Sequence, residues 1–292
     1  MPELPDITVY VERAQERMQG RVLRRVKLLN PFLLRTAVPP IATAEGRVVV
    51  GVQRLGKRVV LALDGGLFLV IHLMIAGRLR WLATGAKLPG KLALAAFEFD
   101  GGMLVLTEAG TTRRASLHLV SGAVALQALD AGGIDVMAAD LGAFNAQLIS
   151  ENHTLKRALT MPQLFSGIGN AYSDEILHRA RLSPVTLTRS LPAESVQRLF
   201  DATREVLREW TDKLRAQSPG WPGKVTAFHP EMAVHGRFGL PCKVCGTPVQ
   251  RIVHANNETN YCARCQTGGK LLADRALSKL LKASWPKTID DL

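Results

Sequence analysis

Residues 242–265 read CKVCGTPVQRIVHANNETNYCARC and contain all four cysteines of the chain. The cysteines form two Cys-x-x-Cys pairs, Cys242 with Cys245 and Cys262 with Cys265, separated by sixteen residues. This spacing is typical of two knuckles that close one tetrahedral zinc site. Because four thiolates leave the metal no open position, we predict one structural Zn2+. The alternatives, two disulfides or four free thiols, are disfavoured in a chain whose start does not read as a secretion signal.

These cysteines belong to a second half of the chain that is mostly helical in pattern. Helical spacing predicts three helices, over residues 154–159, 171–180 and 193–214. Between the cysteine pairs, residues 249–253 and 259–261 read as strands around a turn at 254–257. The sequence therefore predicts a zinc-stapled β-hairpin whose tip reaches a partner, followed by a last helix over about 270–282.

The first half of the chain shows short strands with turn signals between them. Apolar residues spaced three and four apart from Ile7 to Met18 predict a helix close to the start. Strands are predicted over residues 48–52, 59–63, 67–73, 92–99 and 103–107. Asp-Gly-Gly turns at 64–66 and 100–102 predict two hairpins. Strands without intervening helices favour an antiparallel sandwich or barrel, with the helix covering one edge.

The change of pattern within residues 130–140 indicates two domains. The predicted fold class is α+β. An antiparallel β-sandwich with its leading helix spans residues 1–134, and a helical domain with the zinc finger at about 235–267 spans 135–292. Of the 292 residues 47% are apolar, which is enough for a sizeable core.

Charge and hydropathy indicate the partner and the compartment. The formal net charge is +12 and is spread over both halves of the chain, which favours a polyanion, most simply nucleic acid. No apolar stretch approaches the roughly 18 residues of a membrane helix. The start, with acids at Glu3 and Asp6, does not read as a leader peptide. We therefore expect a cytoplasmic, nucleoid-associated protein without a membrane partner.

The N-terminus carries residue types that suit covalent catalysis. Once Met1 is removed, Pro2 is a free secondary amine, which can attack C1′ of a damaged nucleotide and form an iminium ion. Glu3 is its neighbour, and a helix start at Pro5 and Asp6 would bring a positive dipole that lowers the pKa of the amine. A Met-Pro start alone is equally consistent with no role, so this hypothesis depends on the other motifs.

A glycine-rich turn, Gly167-Ile168-Gly169-Asn170, opens a predicted helix. Glycines let the backbone approach a phosphate, helix N-termini favour anions, and Asn170 is a suitable N-cap whose side chain can also donate to a phosphate oxygen. A tight turn between packed helices is the alternative. Asp174 and Glu175 in the first turn favour that alternative unless they point away from the ligand.

Four motifs follow one another along the chain: MPELPD at residues 1–6, LGKR at 55–58, LFSGIGNAY at 164–172, and HGR at 235–237 before the cysteines. Together they resemble the formamidopyrimidine-DNA glycosylase and endonuclease VIII family, in the family's order, from residue 1 to about 266. The resemblance implies a two-domain enzyme with a helix–two-turns–helix motif and a zinc finger. Such an enzyme bends duplex DNA and flips a damaged base out of it.

The resemblance assigns a role to each matching residue. Pro2 would be the Schiff-base nucleophile, and Glu3 would protonate the opening sugar and later shuttle protons. Lys57, otherwise a solvated strand lysine, would touch the phosphate near the lesion. Asn170, after the close-approach glycine Gly169, would grip the backbone at the flipped nucleotide. The implied reaction on damaged DNA is base excision, then β- and δ-elimination by a monomer, leaving a one-nucleotide gap with phosphate at both ends.

The zinc finger departs from the family at its tip. The family carries an arginine there that clamps phosphates around the lesion, whereas this chain has Asn257. One charge-assisted hydrogen bond is lost, and such bonds are roughly twice as strong as neutral ones. Arg251 and Arg264 are the candidates for compensation, and Asn257 remains a candidate DNA contact.

The residues that fill the space of the flipped base also depart from the family. Relatives that remove oxidised purines usually place a Met where this chain has Ile75, and an Arg-x-Phe unit where this chain has Arg113 and then Ala115. Arg113 is therefore retained and the aromatic is lost. Met74 could replace the family's methionine if its strand were shifted by one residue. Trp221, in the turn-rich pocket loop 217–228, either stacks on a base or packs against the core.

Residues 267–292 extend past the last cysteine, where the family often ends, and their helix is expected to pack on the finger. Three functions remain open: a bifunctional glycosylase and abasic-site lyase, a lesion-binding protein of the same fold with weak or no excision, and an unrelated RNA-binding zinc ribbon. The intact N-terminus favours the first. We call the residues that fill the space of the flipped base, Ile75, Arg113 and Ala115, the wedge. The altered finger tip and the altered wedge predict a preference for bases that are already poorly stacked, as in abasic sites, single strands, bubbles or ring-opened bases.

Overall fold

The computed structural model describes residues 1–110, 112–223, 225, 228–254, 257–281 and 286–291, without the side chains of 275–277. Within these residues, no helix is both long and apolar enough to cross a membrane. The chain divides into two units, Met1–Ala131 with Trp210–Thr226, and Gly132–Glu209 with Ala227–Leu292. The domain boundary between residues 134 and 135 stays a prediction. The predicted second domain includes residues 210–226, which fall in the first unit here.

Among the described residues, the first unit contains eight β-strands and two complete α-helices. In chain order these are α1 (Leu4–Met18), β1 (Leu23–Leu28), β2 (Val49–Leu55), β3 (Arg58–Leu63), β4 (Leu67–His72), β5 (Gly77–Leu82), β6 (Ala93–Phe99), β7 (Gly102–Glu108), β8 (Ser116–Ser121) and α2 (Ala123–Gln127). The eight strands form two four-stranded antiparallel sheets, ordered β1-β6-β7-β5 and β2-β3-β4-β8. The predicted sandwich is confirmed, as are its hairpins β3-β4 and β6-β7.

The core of the first unit lies between the two sheets and under α1. Alternate residues of the strands, such as Leu61 and Leu104, are fully buried in one apolar cluster. The apolar face of α1, including Tyr10 and Met18, joins this cluster and packs on β2 and β3. Because Cβ atoms alternate across a strand, each sheet offers one apolar face to this core.

Residues 210–226 pack on the first unit through Trp221. Its indole N–H donates to the carbonyl of Leu79 over 2.9 Å, and its ring lies 5.9 Å from Tyr10 and 6.0 Å from Trp81, centroid to centroid. Trp221 therefore packs against the core, and the stacking hypothesis is not supported. Residues 224, 226 and 227 of the predicted pocket loop lie outside the described residues.

The second unit contains the finger hairpin and the remaining α-helices, of which the longest continues from Trp210 into the first unit. In chain order these are α3 (Leu141–Ser150), α4 (Leu155–Thr160), α5 (Asn170–Arg179), α6 (Ala193–Gln217), β9 (Gln250–His254), β10 (Asn257–Tyr261), α7 (Ala263–Thr267) and α8 (Arg275–Leu281). Strands β9 and β10 pair as the predicted antiparallel hairpin, with Asn257 opposite His254. Residues 255 and 256 of its turn lie outside the described residues.

The last predicted helix begins later than the sequence pattern suggested. The prediction started it at about residue 270, whereas α8 begins at Arg275, and residue 282 lies outside the described residues. Gly268 and Gly269 have φ values of +63° and +93°, which turn the chain out of a helical path. Lys270 instead forms an antiparallel bridge with Thr288.

Candidate active site and nucleic-acid interface

The N-terminal amine and two carboxyl groups lie together at the start of α1. Glu3 is the N-cap of this helix and is only 2% exposed, and Pro2 and Asp6 are buried with it. The backbone N–H of Glu3 donates to Oδ2 of Asp6 over 2.9 Å, which secures the first turn. The structure thus brings the two predicted residues Pro2 and Glu3 into one buried position.

The surroundings favour a neutral amine at the N-terminus. Burial lowers the pKa of the Met1 amine, and the charges of Arg78 and Lys57 act in the same direction, against the carboxylates of Glu3 and Asp6. Lys57 lies in the turn between β2 and β3, so this turn is within electrostatic range of the amine. Only an unprotonated amine is a nucleophile, so the lowered pKa increases the reactive fraction at neutral pH.

Asp6 is a residue of this site that the sequence analysis used only as a helix start. Burial raises the pKa of Asp6 to about 7. Its Oδ2 accepts the N–H of Glu3, and its Oδ1 has no hydrogen-bond partner among the described residues. The signal in the sequence was its spacing three residues after the N-cap, where a capping carboxyl is expected.

We expect Asp6→Asn to stabilise the protein increasingly as the pH rises. Folded Asp6 keeps its proton up to about pH 7, whereas the unfolded chain loses it near pH ~4. Between these values the folded state binds more protons, so the free energy of unfolding of the parent falls with rising pH. Asparagine keeps an acceptor for the Glu3 N–H and removes the buried charge.

Thermal unfolding of both proteins between about pH 5 and about pH 8 should show the advantage of Asp6→Asn growing by about 2 kcal/mol. The exposed Asp201 on α6 provides the control, since Asp201→Asn should give no such trend. An advantage of Asp6→Asn that does not change with pH would contradict the raised pKa.

The turn between β4 and β5 presents Ile75. Ile75 is 59% exposed, whereas Met74 is partly buried and has a φ of +51°. The alternative with a shifted strand and Met74 is therefore not supported. Arg78, which the sequence analysis did not single out, holds this turn by donating to the carbonyls of Ile75 (3.2 Å) and Gly77 (2.6 Å). It also donates to the carbonyl of Val225 over 2.6 Å.

The segment after β7 presents Arg113 and buries Ala115. The Glu108 carboxylate accepts the backbone N–H groups of Arg114 (3.0 Å) and Ala115 (3.1 Å), and Ala115 lies in the sandwich core. Arg113 is exposed and donates to the carbonyl of Lys91. Arg113 is thus available at the surface, while Ala115 cannot replace the family's aromatic. Thr111 of this segment lies outside the described residues.

In the second unit, the glycine-rich turn ends in the N-terminus of α5. Gly167 has a φ of +86°, which explains a glycine at this position. The N-cap is Gly169 and not Asn170, which corrects the expectation, because Asn170 is already the first helical residue. The side-chain amide of Asn170 donates to the carbonyl of Glu258 in β10 over 3.0 Å, so the turn is joined to the finger hairpin.

The two acids of α5 are bound within the second unit. The Asp174 carboxylate accepts from Nζ of Lys156 over 2.6 Å and lies 2.8 Å from Nδ1 of His235. Glu175 accepts the backbone N–H groups of residues 233–235 at 2.7 to 2.9 Å. Neither carboxylate is therefore a free charge opposing an anion at the start of α5.

The four cysteines form the predicted metal centre. Their Sγ atoms all lie within 4.8 Å of one another, with Cys242 4.0 Å from Cys265 and Cys245 3.4 Å from Cys262. A tetrahedral zinc with Zn–S bonds of about 2.3 Å places its sulfurs roughly 3.8 Å apart, so the residues fit this ion. Nε2 of His178 lies 3.4 Å from Sγ of Cys242 and supports that ligand from α5.

The two candidate substitutes for the missing arginine are engaged elsewhere. Arg251 forms an ion pair with Glu258 at 3.3 Å, and Arg264 forms one with Asp290 at 2.6 Å. Asn257 is exposed at the start of β10. The hairpin tip therefore offers a neutral amide where the resemblance to the family leads one to expect a cation.

Three family models match consecutive parts of the chain. They are the formamidopyrimidine-DNA glycosylase N-terminal domain at residues 1–114, the formamidopyrimidine-DNA glycosylase H2TH domain at 134–215, and the zinc finger found in FPG and IleRS at 239–268. Formamidopyrimidine-DNA glycosylase of Thermus thermophilus is 36% identical over 282 residues, which cover 92% of this chain and all of that protein. The chain belongs to the formamidopyrimidine-DNA glycosylase family.

Solved structures agree with this membership. The crystal structure of the MutM (Fpg) protein from Thermus thermophilus matches with a TM-score of 0.76 and 33% identity. The match covers 91% of the present chain and 98% of the Thermus chain. A complex between Lactococcus lactis Fpg and DNA containing an oxidised pyrimidine matches with a TM-score of 0.81 and 25% identity, over 91% of this chain and all of its own. The predicted DNA glycosylase of base excision, with a structural zinc, is confirmed at the level of the family.

Proposed function

We propose that this glycosylase removes damaged bases from DNA through a Schiff base on Pro2 and then cleaves the abasic strand. The observation that carries the proposal is the buried N-terminal cluster, in which an amine of lowered pKa lies beside Glu3 and Asp6. A neutral amine and an adjacent acid are what attack at C1′ and protonation of the sugar require. Removal of Met1 would expose the nitrogen of Pro2, the next residue of the chain, as the amine beside Glu3.

The proposed steps use the protein's own groups. The lone pair of Pro2 bonds to C1′ while the base leaves with the electrons of the glycosidic bond, and the proton lost from the Pro2 nitrogen balances the proton that the base takes up. Glu3 gives a proton to O4′, and the opened sugar becomes an iminium ion on Pro2. Loss of a C2′ proton expels the 3′ phosphate, a second elimination expels the 5′ phosphate, and water releases the sugar fragment. Lys57 is proposed to hold the phosphate near the lesion.

The second unit is proposed to hold the DNA backbone. The N-terminus of α5, with Gly169 and Asn170, would bind a phosphate at the flipped nucleotide, because backbone N–H groups and the helix dipole favour an anion. Asn257 would contact the backbone from the finger. Ile75 and Arg113 would fill the space that the flipped base leaves. The solved relatives in complex with damaged DNA support this assignment of the partner.

The compartment and assembly state are part of the same proposal. We infer that the protein acts as a monomer at the nucleoid, in the cytoplasm. Its net charge of +12 favours contact with DNA throughout the chain.

A strand-cleavage assay tests the proposed reaction. Labelled duplexes carrying an abasic site, 8-oxoguanine, formamidopyrimidine or an oxidised pyrimidine are incubated with protein from which Met1 has been removed. We expect a one-nucleotide gap with phosphate at both ends, and a rate about a hundredfold lower for Pro2→Gly. Binding to damaged DNA without excision or cleavage would instead favour the lesion-binding protein.

The small wedge predicts a substrate preference. With Ile75 exposed and Ala115 buried, the glycosylase has less apolar surface to stabilise an extruded base. We expect faster excision from bubbles, single strands and ring-opened bases, whose extrusion is less costly. Equal or faster excision of 8-oxoguanine opposite cytosine in a fully paired duplex would contradict this expectation.

We expect Asn257→Arg to strengthen DNA binding. A tip arginine adds one charge-assisted phosphate contact, which should lower Kd about tenfold and steepen the salt dependence of log K by about 0.9. Ala146→Arg, an equal charge on the exposed side of α3, is the matched control. Titrations at several salt concentrations measure both quantities, and equal effects of the two variants would argue against a tip contact.

A further inference from the structure

The last described part of the chain, residues 269–281 and 286–291, folds back on itself beside the zinc finger. It lies beyond the family models, the last of which ends at residue 268. Three backbone contacts close it: the Lys270–Thr288 bridge, the Leu271 N–H on the Lys287 carbonyl (2.9 Å) and the Ile289 N–H on the Gly269 carbonyl (2.8 Å). The segment is therefore a closed structural addition to the finger.

Apolar side chains join this segment to the hairpin. Leu271 and Ile289 pack with Ile252 of β9, Tyr261 of β10 and Ala263 of α7 in one buried cluster. A two-stranded hairpin is only marginally stable by itself in water. The cluster gives this hairpin an apolar face to pack on, in addition to the zinc at its base.

Two partly buried polar contacts fix the hairpin more specifically. The carboxylate of Asp274, which is 3% exposed, accepts the backbone N–H of Val253 over 2.8 Å. The hydroxyl of Tyr261 accepts the backbone N–H of Leu272 over 2.8 Å. Val253 directly precedes His254, which lies at the end of β9 next to the hairpin turn. Asp274 therefore holds the end of β9 that is farthest from the cysteines.

We propose that residues 269–281 and 286–291 form a brace that holds the finger hairpin in its DNA-binding position, with Asp274 as the main positioning residue. This inference rests on the proposed function of the finger in binding DNA. The tip has Asn257 and so lacks one charge for holding phosphate. Ordering the hairpin before binding reduces the conformational entropy lost on binding, and thereby offsets part of that weaker contact.

The test compares Asp274→Ala with Asp274→Asn in the full-length protein. Alanine removes the acceptor for the Val253 N–H, whereas asparagine keeps a carbonyl oxygen at the same place. Asp201→Ala is the matched control, since it removes one exposed carboxylate of α6, outside the brace and the finger. The measurements are Kd for DNA carrying a non-cleavable abasic analogue, the single-turnover cleavage rate on abasic DNA at saturating protein, zinc content, and hydrogen exchange of residues 250–254.

We expect Asp274→Ala to raise Kd about tenfold and to speed hydrogen exchange in β9. The saturated cleavage rate and the zinc content should match the parent. Asp274→Asn should recover most of the affinity, and Asp201→Ala should behave as the parent.

Three results would overturn the brace: an unchanged Kd for Asp274→Ala, a slower cleavage rate at saturation, or loss of zinc. An Asp274→Asn variant as weak as alanine would also overturn it. If the parent binds the analogue but fails to cleave abasic DNA, the proposed function fails, while the effect of Asp274→Ala on Kd still decides the brace.

Discussion

Glu3→Gln is expected to slow base excision by about a thousandfold, because glutamine has the shape of Glu3 but no acidic proton for the sugar oxygen. Glu3 is 2% exposed beside the N-terminal amine, so water does not easily replace its carboxyl group. The rate is measured by single-turnover excision of a damaged base at saturating enzyme. The Kd for a non-cleavable abasic analogue should stay close to that of the parent.

Glu16→Gln provides the matched control for this variant. Glu16 lies on the same helix α1, is exposed, and pairs with Arg13 at 2.7 Å. It should excise at the parent rate. If Glu3→Gln retained a rate within about threefold of the parent, the proton would have to come from another group.

Cys262→Ser is expected to abolish the folded zinc finger and to weaken DNA binding by at least about a hundredfold. The four sulfurs lie within 4.8 Å of one another, and Cys262 is fully buried, so the lost thiolate has no substitute at the site. Metal binding and folding of such sites are coupled. A chelator of sufficient affinity should have the same effect on the parent, and added zinc should reverse it.

Val244→Ser is the control for the cysteine variant. Val244 lies inside the first knuckle but is 63% exposed, so its change should leave metal content and affinity intact. Zinc content, DNA affinity and the thermal unfolding of the β-sandwich are measured together. A Cys262→Ser protein that binds damaged DNA normally would show that the finger is dispensable.

The features that sequence predicted well are those with a local signal. The Cys-x-x-Cys pairs, the Asp-Gly-Gly turns and the apolar face of α1 each constrain their own neighbourhood, and the structure has the metal centre, the hairpins and the helix there. Strands β1 and β5 were not predicted, because LRRVKL and GRLRWL mix basic and apolar residues that periodicity alone reads as surface.

The features that sequence missed depend on packing between distant segments. The raised pKa of Asp6 results from burial, which the pattern at the N-terminus does not encode. Arg78 becomes part of the site only because β5 brings it near the amine. Likewise, the pairing of Asp274 with Val253 depends on how the final segment folds back over β9. Such contacts follow from tertiary structure, so no spacing rule reveals them.

The roles proposed for the two units differ in kind. The first unit holds the groups that we propose to react, an N-terminal amine whose pKa is lowered near a carboxyl group, Asp6, whose pKa is raised. The second unit holds the helix start that we propose to bind phosphate, where Asn170 joins α5 to β10 and Asp174 joins Lys156 to His235. Variants of the first unit should therefore change the rate at saturation, and variants of the second should mainly change affinity.

Borohydride trapping followed by peptide mapping tests the central claim, the identity of the nucleophile, most directly. Protein without Met1 is incubated with abasic DNA and borohydride, and the cross-linked peptide is sequenced by mass spectrometry. The proposed mechanism predicts one reduced adduct, on the nitrogen of Pro2, that is strongly diminished in Pro2→Gly. An adduct on a lysine such as Lys57, or damaged DNA bound without any adduct, would contradict it.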